Sequence, residues 1–334
     1  MRNGEYRSHS GNFELRVLCR QRQGYQLEQL EKMGAKIWEV NYTDEHKMRE
    51  VMRNVCHVLM VPESSRDTLK EAETLMCAAK HESVDHFSMV SVLAVDRVQS
   101  GDINDQHSNE FRTILHFHKI EEKLKKEFHG EKHCIMRIPM LNQFFYFLAP
   151  KIEGENIVPL PVKKDKKWSS IDLNDIVEAI YCLAKKRSER SQQQQSGDAF
   201  HHKQVYNFTC SKVHNTEEIV KQMGEGLDQR DLHFKEISEN DLKQWLHKLK
   251  DDKKFSQRPD DRNDFRKGRD GFASFPLGKF LHEDMIEILM EYWRLVNKGK
   301  LDMQTDDLEK VLERKPHTIK EYFEVNRQQF KRLK

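Results

Sequence analysis

The sequence predicts an α/β fold: a parallel sheet with helices on both faces, followed by a smaller, mostly helical carboxyl-terminal lobe. Two observations predict it. From about residue 15 to residue 210, short apolar runs of strand length alternate with segments whose apolar residues recur at helical spacing. Short connectors join them, which is the rhythm of right-handed parallel crossovers. From residue 280 onward the pattern is helical throughout. A chain of 334 residues is also long enough to bury a sizeable core.

The elements follow in order. Leu15–Cys19 (LRVLC) is a short β-favouring run, and Leu27, Leu30 and Met33 recur at helical spacing until Gly34, a good residue to end a helix. Ile37–Val40 forms the next strand, and Thr43 or Asp44 can cap a helix carrying Met48, Val51 and Met52. Val55–Val61 (VCHVLMV) is continuously apolar and closed by Pro62, which predicts a strand buried on both faces. Leu69, Ala72, Leu75, Met76 and Ala79 line one helix face, and His86–Val95 supplies another strand. Beyond a polar stretch at 100–110 come a helix over 111–128 and a strand at His133–Pro139. A helix carrying Ile176, Ala179, Ile180 and Leu183 precedes a strand at Val205–Cys210. In the tail, Met285, Ile288, Leu289 and Tyr292 make one apolar stripe, and Leu308, Val311 and Leu312 another.

These elements divide the chain into a disordered start (1–12), a sheet-bearing body (13–212) and a smaller lobe (213–334). Two polar, low-complexity stretches, 186–204 in the body and 251–274 in the lobe, read as surface insertions. With 57 basic against 55 acidic residues the net charge is only +2, which argues against direct nucleic-acid binding. No apolar run approaches the roughly 18 residues that span a bilayer, so no membrane partner is expected. MRNGEYRSHSGN carries no targeting pattern. Six cysteines lie far apart, several in apolar runs, and read as buried small hydrophobes in a reducing compartment. The cytoplasm fits best, with the nucleus also open. Of 17 histidines, His201 and His202 stand together, yet no ligand spacing supports a metal, and none is expected.

The order of the segments resembles the NmrA-like branch of the atypical short-chain dehydrogenase/reductase family, a Rossmann-like NAD(P)-binding fold. The likeness runs almost end to end through LRVLCRQ, LEQLEKMGAKIWEVNYTD, VMRNVCHVLMVP, HKIEEKLKK with IMRIPMLNQFF, WSSIDLNDIVEAI, YNFTCSKVHNTEEIVKQM and GKLDMQTDDLEKVLERKPHTIKEYFEVNRQQF. The largest departure is at the front. Family members open with an apolar strand, a G-x-x-G-x-x-G turn and a helix, which together need about 25 residues. Here only Met1–Glu14 precede LRVLC, with isolated Gly4 and Gly11. The first strand is therefore read as missing, either because the product is shortened or because the sheet re-pairs around the gap. Without the glycine turn and its helix N-terminus, the grip on a pyrophosphate is expected to be impaired.

The resemblance also implies site residues. Arg20, helped by Arg22, follows the strand that delivers the ribose-reading residue, and a guanidinium there points to NADP over NAD. Asn41 and Tyr42 stand at the adenine-side turn, and Val61 and Pro62 at the strand end lining the cofactor groove. Pro139 and Asn142, with Arg137, mark the exit of the strand before the second lobe. Lys119 matches the lysine of the family's Tyr-x-x-x-Lys pair, but Leu115 occupies the tyrosine position and no tyrosine lies between Tyr42 and Tyr146. Some family reductases use the lysine alone, so Lys119 is the catalytic candidate, with Ser91 facing the nicotinamide and Ser88 as its substitute. Each has an ordinary alternative; Lys119 also reads as a helix-surface lysine beside Glu121 and Glu122. Asp175 reads as a capping or tethering residue.

Three functions are compatible with this reading. The first is an NAD(P)-fold protein in a redox-sensing or regulatory role, with weak or no catalysis and a regulatory protein partner. The second is an NADPH-dependent reductase of the isoflavone or quinone reductase type. The third is an interaction module that binds no nucleotide.

Overall fold

The structure, a computed structural model, describes residues 14–22, 25–65, 67–98, 110–192, 203–256 and 277–333. The body opens with β1 (Arg16–Cys19), α1 (Tyr25–Lys32), β2 (Lys36–Glu39), α2 (Glu45–Met52), β3 (His57–Met60), α3 (Thr68–His81) and β4 (His86–Val92). It continues with α4 (Arg112–Glu127), β5 (His133–Ile138), β6 (Met140–Leu141), α5 (Ala149–Glu155), β7 (Ile157–Leu160), β8 (Lys167–Trp168), β9 (Ser170–Ile171), α6 (Leu173–Gln192) and β10 (Val205–Asn207). The remainder is β11 (His214–Asn215), α7 (Thr216–Leu227), β12 (His233–Glu236), α8 (Glu239–Asp251), α9 (Lys253–Ser256), α10 (Glu283–Asn297), α11 (Asp307–Leu312) and α12 (Ile319–Arg332).

The strands pair as the alternating pattern requires. A four-stranded parallel sheet runs β10-β5-β4-β3, and β1 and β2 form a separate parallel pair. Among the described residues neither β1 nor β3 has a second strand neighbour. Local chemistry sets the helix starts. Asp44, not Thr43, caps α2 by accepting from the Lys47 amide, and capping boxes open α7 (Asn215, Glu218), α8 (Ser238, Asp241) and α12 (Thr318, Glu321).

Met48, Met76, Phe87, Ile114, Ile120 and Ile135 are buried between the sheet and its helices, while Ile176, Ala179, Leu183, Tyr206 and Leu308 form a second cluster around α6 and β10. Aromatic rings carry the core into the lobe: Phe144 and Trp168 flank Trp293, and Tyr146 stacks on Phe330 at 4.6 Å. Polar contacts seal the join. Glu291 of α10 accepts from the Thr113 and Ile114 amides at 2.9 and 2.7 Å, filling the open N-terminus of α4. The buried Tyr292 hydroxyl accepts from the Met140 amide and donates to the Ser169 carbonyl.

Three expectations need correction. The run around β3 is not buried on both faces: Val58 and Met60 are buried, but His57 is exposed, Leu59 is 45% exposed and Val61 64%. Such alternation marks a strand covered on one face only. The cysteines are not uniformly buried: Cys134 and Cys210 are, Cys19 and Cys182 are half-buried, and Cys56 and Cys77 are exposed, all six as free thiols. The insertion expected from 186 begins as helix, because α6 continues to Gln192, and α9 occupies part of the stretch expected at 251–274. The segment 1–12, the glycines Gly4 and Gly11, and His201 and His202 lie outside the described residues.

Candidate functional site

Ligands of open parallel sheets bind beyond the carboxyl ends of the strands. There the structure brings Arg20 and Tyr42 together. Arg20 directly follows β1, and Tyr42 lies just past β2. The Tyr42 hydroxyl donates to the Leu18 carbonyl at 2.9 Å, fixing the ring, and the Arg20 guanidinium lies 5.1 Å from its centroid. Burial first, then the nearby Glu63 charge, pushes the Tyr42 hydroxyl up to about 12.

Arg20 is already paired. Its Nη1 and Nη2 donate to the two oxygens of Glu71, each at 2.7 Å, and its Nε donates to Glu63 at 3.2 Å. Hydrogen bonding to Glu71 raises its pKa above the ordinary arginine value. Arg22 pairs with Glu31, and its amide donates to Glu39. Asn41 turns back on its own loop, where Oδ1 accepts from the amide and hydroxyl of Thr43 at 3.1 and 2.9 Å. Val61 is exposed and Pro62 half-buried, next in sequence to Glu63.

The second group lies at β4 and β5. Register sets Ser91 beside Arg137, so both side chains leave the sheet on the same face. Arg137 reaches Glu121 of α4 through Nε at 3.0 Å and Nη2 at 2.6 Å, which identifies that face as the one α4 covers. A further contact of Arg137, 2.8 Å from Asp96, extends this buried pair to a carboxylate that is 51% exposed. Glu121 is thus fully buried, not a surface neighbour of Lys119. Lys119, two residues earlier, projects about 200° around the helix from Glu121 and is exposed. The structure therefore does not bring Lys119 and Ser91 together. Ser88, the substitute for Ser91, bonds His57 Nε2 at 3.0 Å.

Ser91 Oγ, His118 Nδ1 and both side-chain polar atoms of Asn142 are buried without a hydrogen-bond partner, and Pro139 is buried nearby in sequence. Unpaired polar atoms at this depth cost stability unless a ligand or water completes them. The donor types fit the amide end of a coenzyme. At the other end the fit is only partial. Aromatic and guanidinium groups suit adenosine, but the guanidinium is held by carboxylates, and no described glycine lies in a strand-to-helix turn.

Two further features lie away from the strand ends. Asp175 is fully buried and accepts from Arg314 Nη2 and the His317 amide, both at 2.8 Å, so it tethers α6 to the lobe as its sequence context suggested. Asp172, Asp175 and His317 come close enough to suggest a metal, but these contacts already account for Asp175. A groove of about 1090 Å³ opens between α5, β7, β12 and α8, lined in part by Lys151, Glu155, Lys235 and Trp245.

The sequence reading did not find Glu63, Glu71, Asp96 or Glu291. Acidic residues in loops and helices carry no signal of which cation they meet, because the partner is set by packing over long separations. Only the apolar setting of Arg137 in IMRIP hinted that it needed a buried partner.

A parallel sheet of this order with helices packed on it defines a Rossmann-like α/β protein. The sequence model of the NAD(P)H-binding family matches residues 7–181, just over half of the chain, and the chain belongs to that family. Solved structures agree on the fold. A nucleoside-diphosphate-sugar epimerase from Staphylococcus aureus is 15% identical with a TM-score of 0.63, over 92% of this chain and 90% of that one. An NADPH-dependent quinone oxidoreductase from Escherichia coli, complexed with NADPH, is 14% identical with a TM-score of 0.62, over 92% and 88%. A triphenylmethane reductase from Citrobacter sp. is 13% identical with a TM-score of 0.65, over 94% and 90%. No curated protein matches the chain. Among the described residues no helix is long and apolar enough to cross a membrane.

Proposed function

We propose that this chain is an NAD(P)-fold protein that works by binding, with weak or no turnover, in a redox-sensing or regulatory role of the NmrA-like kind. The observation that supports it most is the geometry of α4. Leu115 stands where a proton-donating tyrosine would, and Lys119 leaves the helix away from the face that meets Ser91. A reductase without a positioned acid forgoes the roughly 10²–10⁴-fold that general acid catalysis supplies.

In this reading the coenzyme is NADP(H), whose part is to carry the hydride that reports redox state. Arg20 takes the 2′-phosphate, Asn41 and Tyr42 attend the adenine, and Val61 and Pro62 line the groove with backbone. Pro139, Asn142 and Ser91 meet the amide end. A regulatory protein would then distinguish the loaded form from the empty one. The binding of Arg20 by two carboxylates favours a second reading, an interaction module that takes no nucleotide.

Titration of NADPH fluorescence separates the two. Saturable binding supports the first reading, and an unchanged signal supports the second. Arg20→Ala is expected to weaken NADPH far more than NADH, and equal losses remove the NADP preference. Oxidation of NADPH by quinones or aldehydes at ordinary enzyme rates, on the order of 10 per second, would overturn the binding role. Lys119→Met would then decide whether that lysine is the acid.

A further inference from the structure

We propose that Glu71 stands in for a phosphate on Arg20 and thereby sets how well the cleft accepts NADPH relative to NADH. The inference rests on the reading of these strand ends as a dinucleotide cleft. It concerns side chains that the coenzyme resemblance does not assign.

The geometry carries the argument. Glu71 engages both terminal nitrogens of Arg20 at 2.7 Å, the two-pronged arrangement by which a guanidinium holds a carboxylate or a phosphate. Glu63 takes the remaining Nε face at 3.2 Å. Tyr42, itself anchored to the Leu18 carbonyl, packs against the guanidinium and restrains its plane. Arg20 is therefore presented at the strand ends in a fixed orientation, but with its fork filled.

A 2′-phosphate must displace Glu71 to reach that fork. It must also approach two carboxylates that share one cation, so the local charge is net negative before the ligand arrives. The two carboxylates differ in weight. The Glu71 side chain is 13% exposed, whereas that of Glu63 is 63% exposed, so solvent screens Glu63 far more and it swings aside more easily. NADH carries no 2′-phosphate and meets no such competition. Glu71 thus discriminates against one coenzyme and is indifferent to the other.

The test uses the full chain with NADPH, NADH and adenosine 2′,5′-bisphosphate, which offers the 2′-phosphate without a nicotinamide. Glu71→Gln keeps the side-chain shape and removes the charge. It is expected to tighten NADPH and adenosine 2′,5′-bisphosphate by about five- to tenfold, while NADH changes by less than about twofold. Glu63→Gln should give a smaller gain, and adding Arg20→Ala to Glu71→Gln should erase the gain. Thermal melts of each variant check that the fold is kept.

An unchanged affinity of Glu71→Gln for the bisphosphate, or no binding of it at all, overturns the inference. So does an equal gain for NADH. If NADH and NADPH still bind in those cases, the dinucleotide reading survives alone. If neither coenzyme binds any variant, that reading falls as well.

Discussion

Arg20 and Arg137 were legible as residues worth attention, but their partners were not. Arg20 meets Glu71 across 51 positions of chain, and Arg137 meets Glu121 across 16. Such pairings follow from how helices dock on the sheet, which no local pattern encodes. The cysteines make the same point. Apolar context correctly marked Cys134 and Cys210 as buried, yet Cys77 lies on the solvent side of α3 and Cys56 just before β3. Burial pushes the Cys134 thiol up to about 12 and raises that of Cys210. Because the thiolate is the reacting form, both should be silent toward a disulfide-exchange reagent at neutral pH. Cys56 and Cys77 should label first, with Cys19 and Cys182 slower, since burial raises both of their pKa values. Peptide mapping after a short pulse reads the order, and rapid labelling of Cys134 in the folded protein would contradict it.

At the scale of elements, periodicity located β1, β2, β3 and β5 and the helices α1 to α4 to within about two residues, because burial on one helical face leaves a visible stripe. It ran β4 and β10 three residues too long and found none of β6, α5, β7, β8 and β9. It failed where burial depends on a neighbour. The apolar run at β3 has the composition of an interior strand, but within β3 only Val58 and Met60 are buried. Composition reports what a strand tolerates; a covering layer decides what it buries. Met60→Ala should therefore cost about 2–5 kcal/mol in urea denaturation, whereas Leu59→Ala should stay within about 1 kcal/mol. Comparable losses at the two positions would mean that the outer face is covered in solution. The site shows the same division. The strand-end positions of Arg20 and Tyr42 followed from the order of elements and that of Ser91 from the family resemblance, but the outward course of Lys119 depends on the rotation of α4, which Glu121 and Arg137 fix.

At the scale of the whole molecule, body and lobe share one apolar interior, and the lobe supplies groups the body lacks. Glu291 closes the N-terminus of α4, Tyr292 bridges Met140 and Ser169, and Arg97 donates to the Lys300 carbonyl at 2.9 Å. An apolar join with these buried polar contacts makes independent movement of α10 against α4 and β6 expensive. The β1–β2 pair is placed differently. Its backbone ladder is its own, and side chains such as Arg20 and Arg16 link it to the rest, Arg16 donating to the Val51 and Arg53 carbonyls at 2.8 Å. Amides here need only a local opening to meet solvent, whereas those of β4 and β5 wait for the central sheet to come apart. Deuterium uptake should thus run well ahead at Val17 and Trp38 compared with Val90 and Ile135, so that the β1–β2 flank would breathe while the interior of the sheet stays shut.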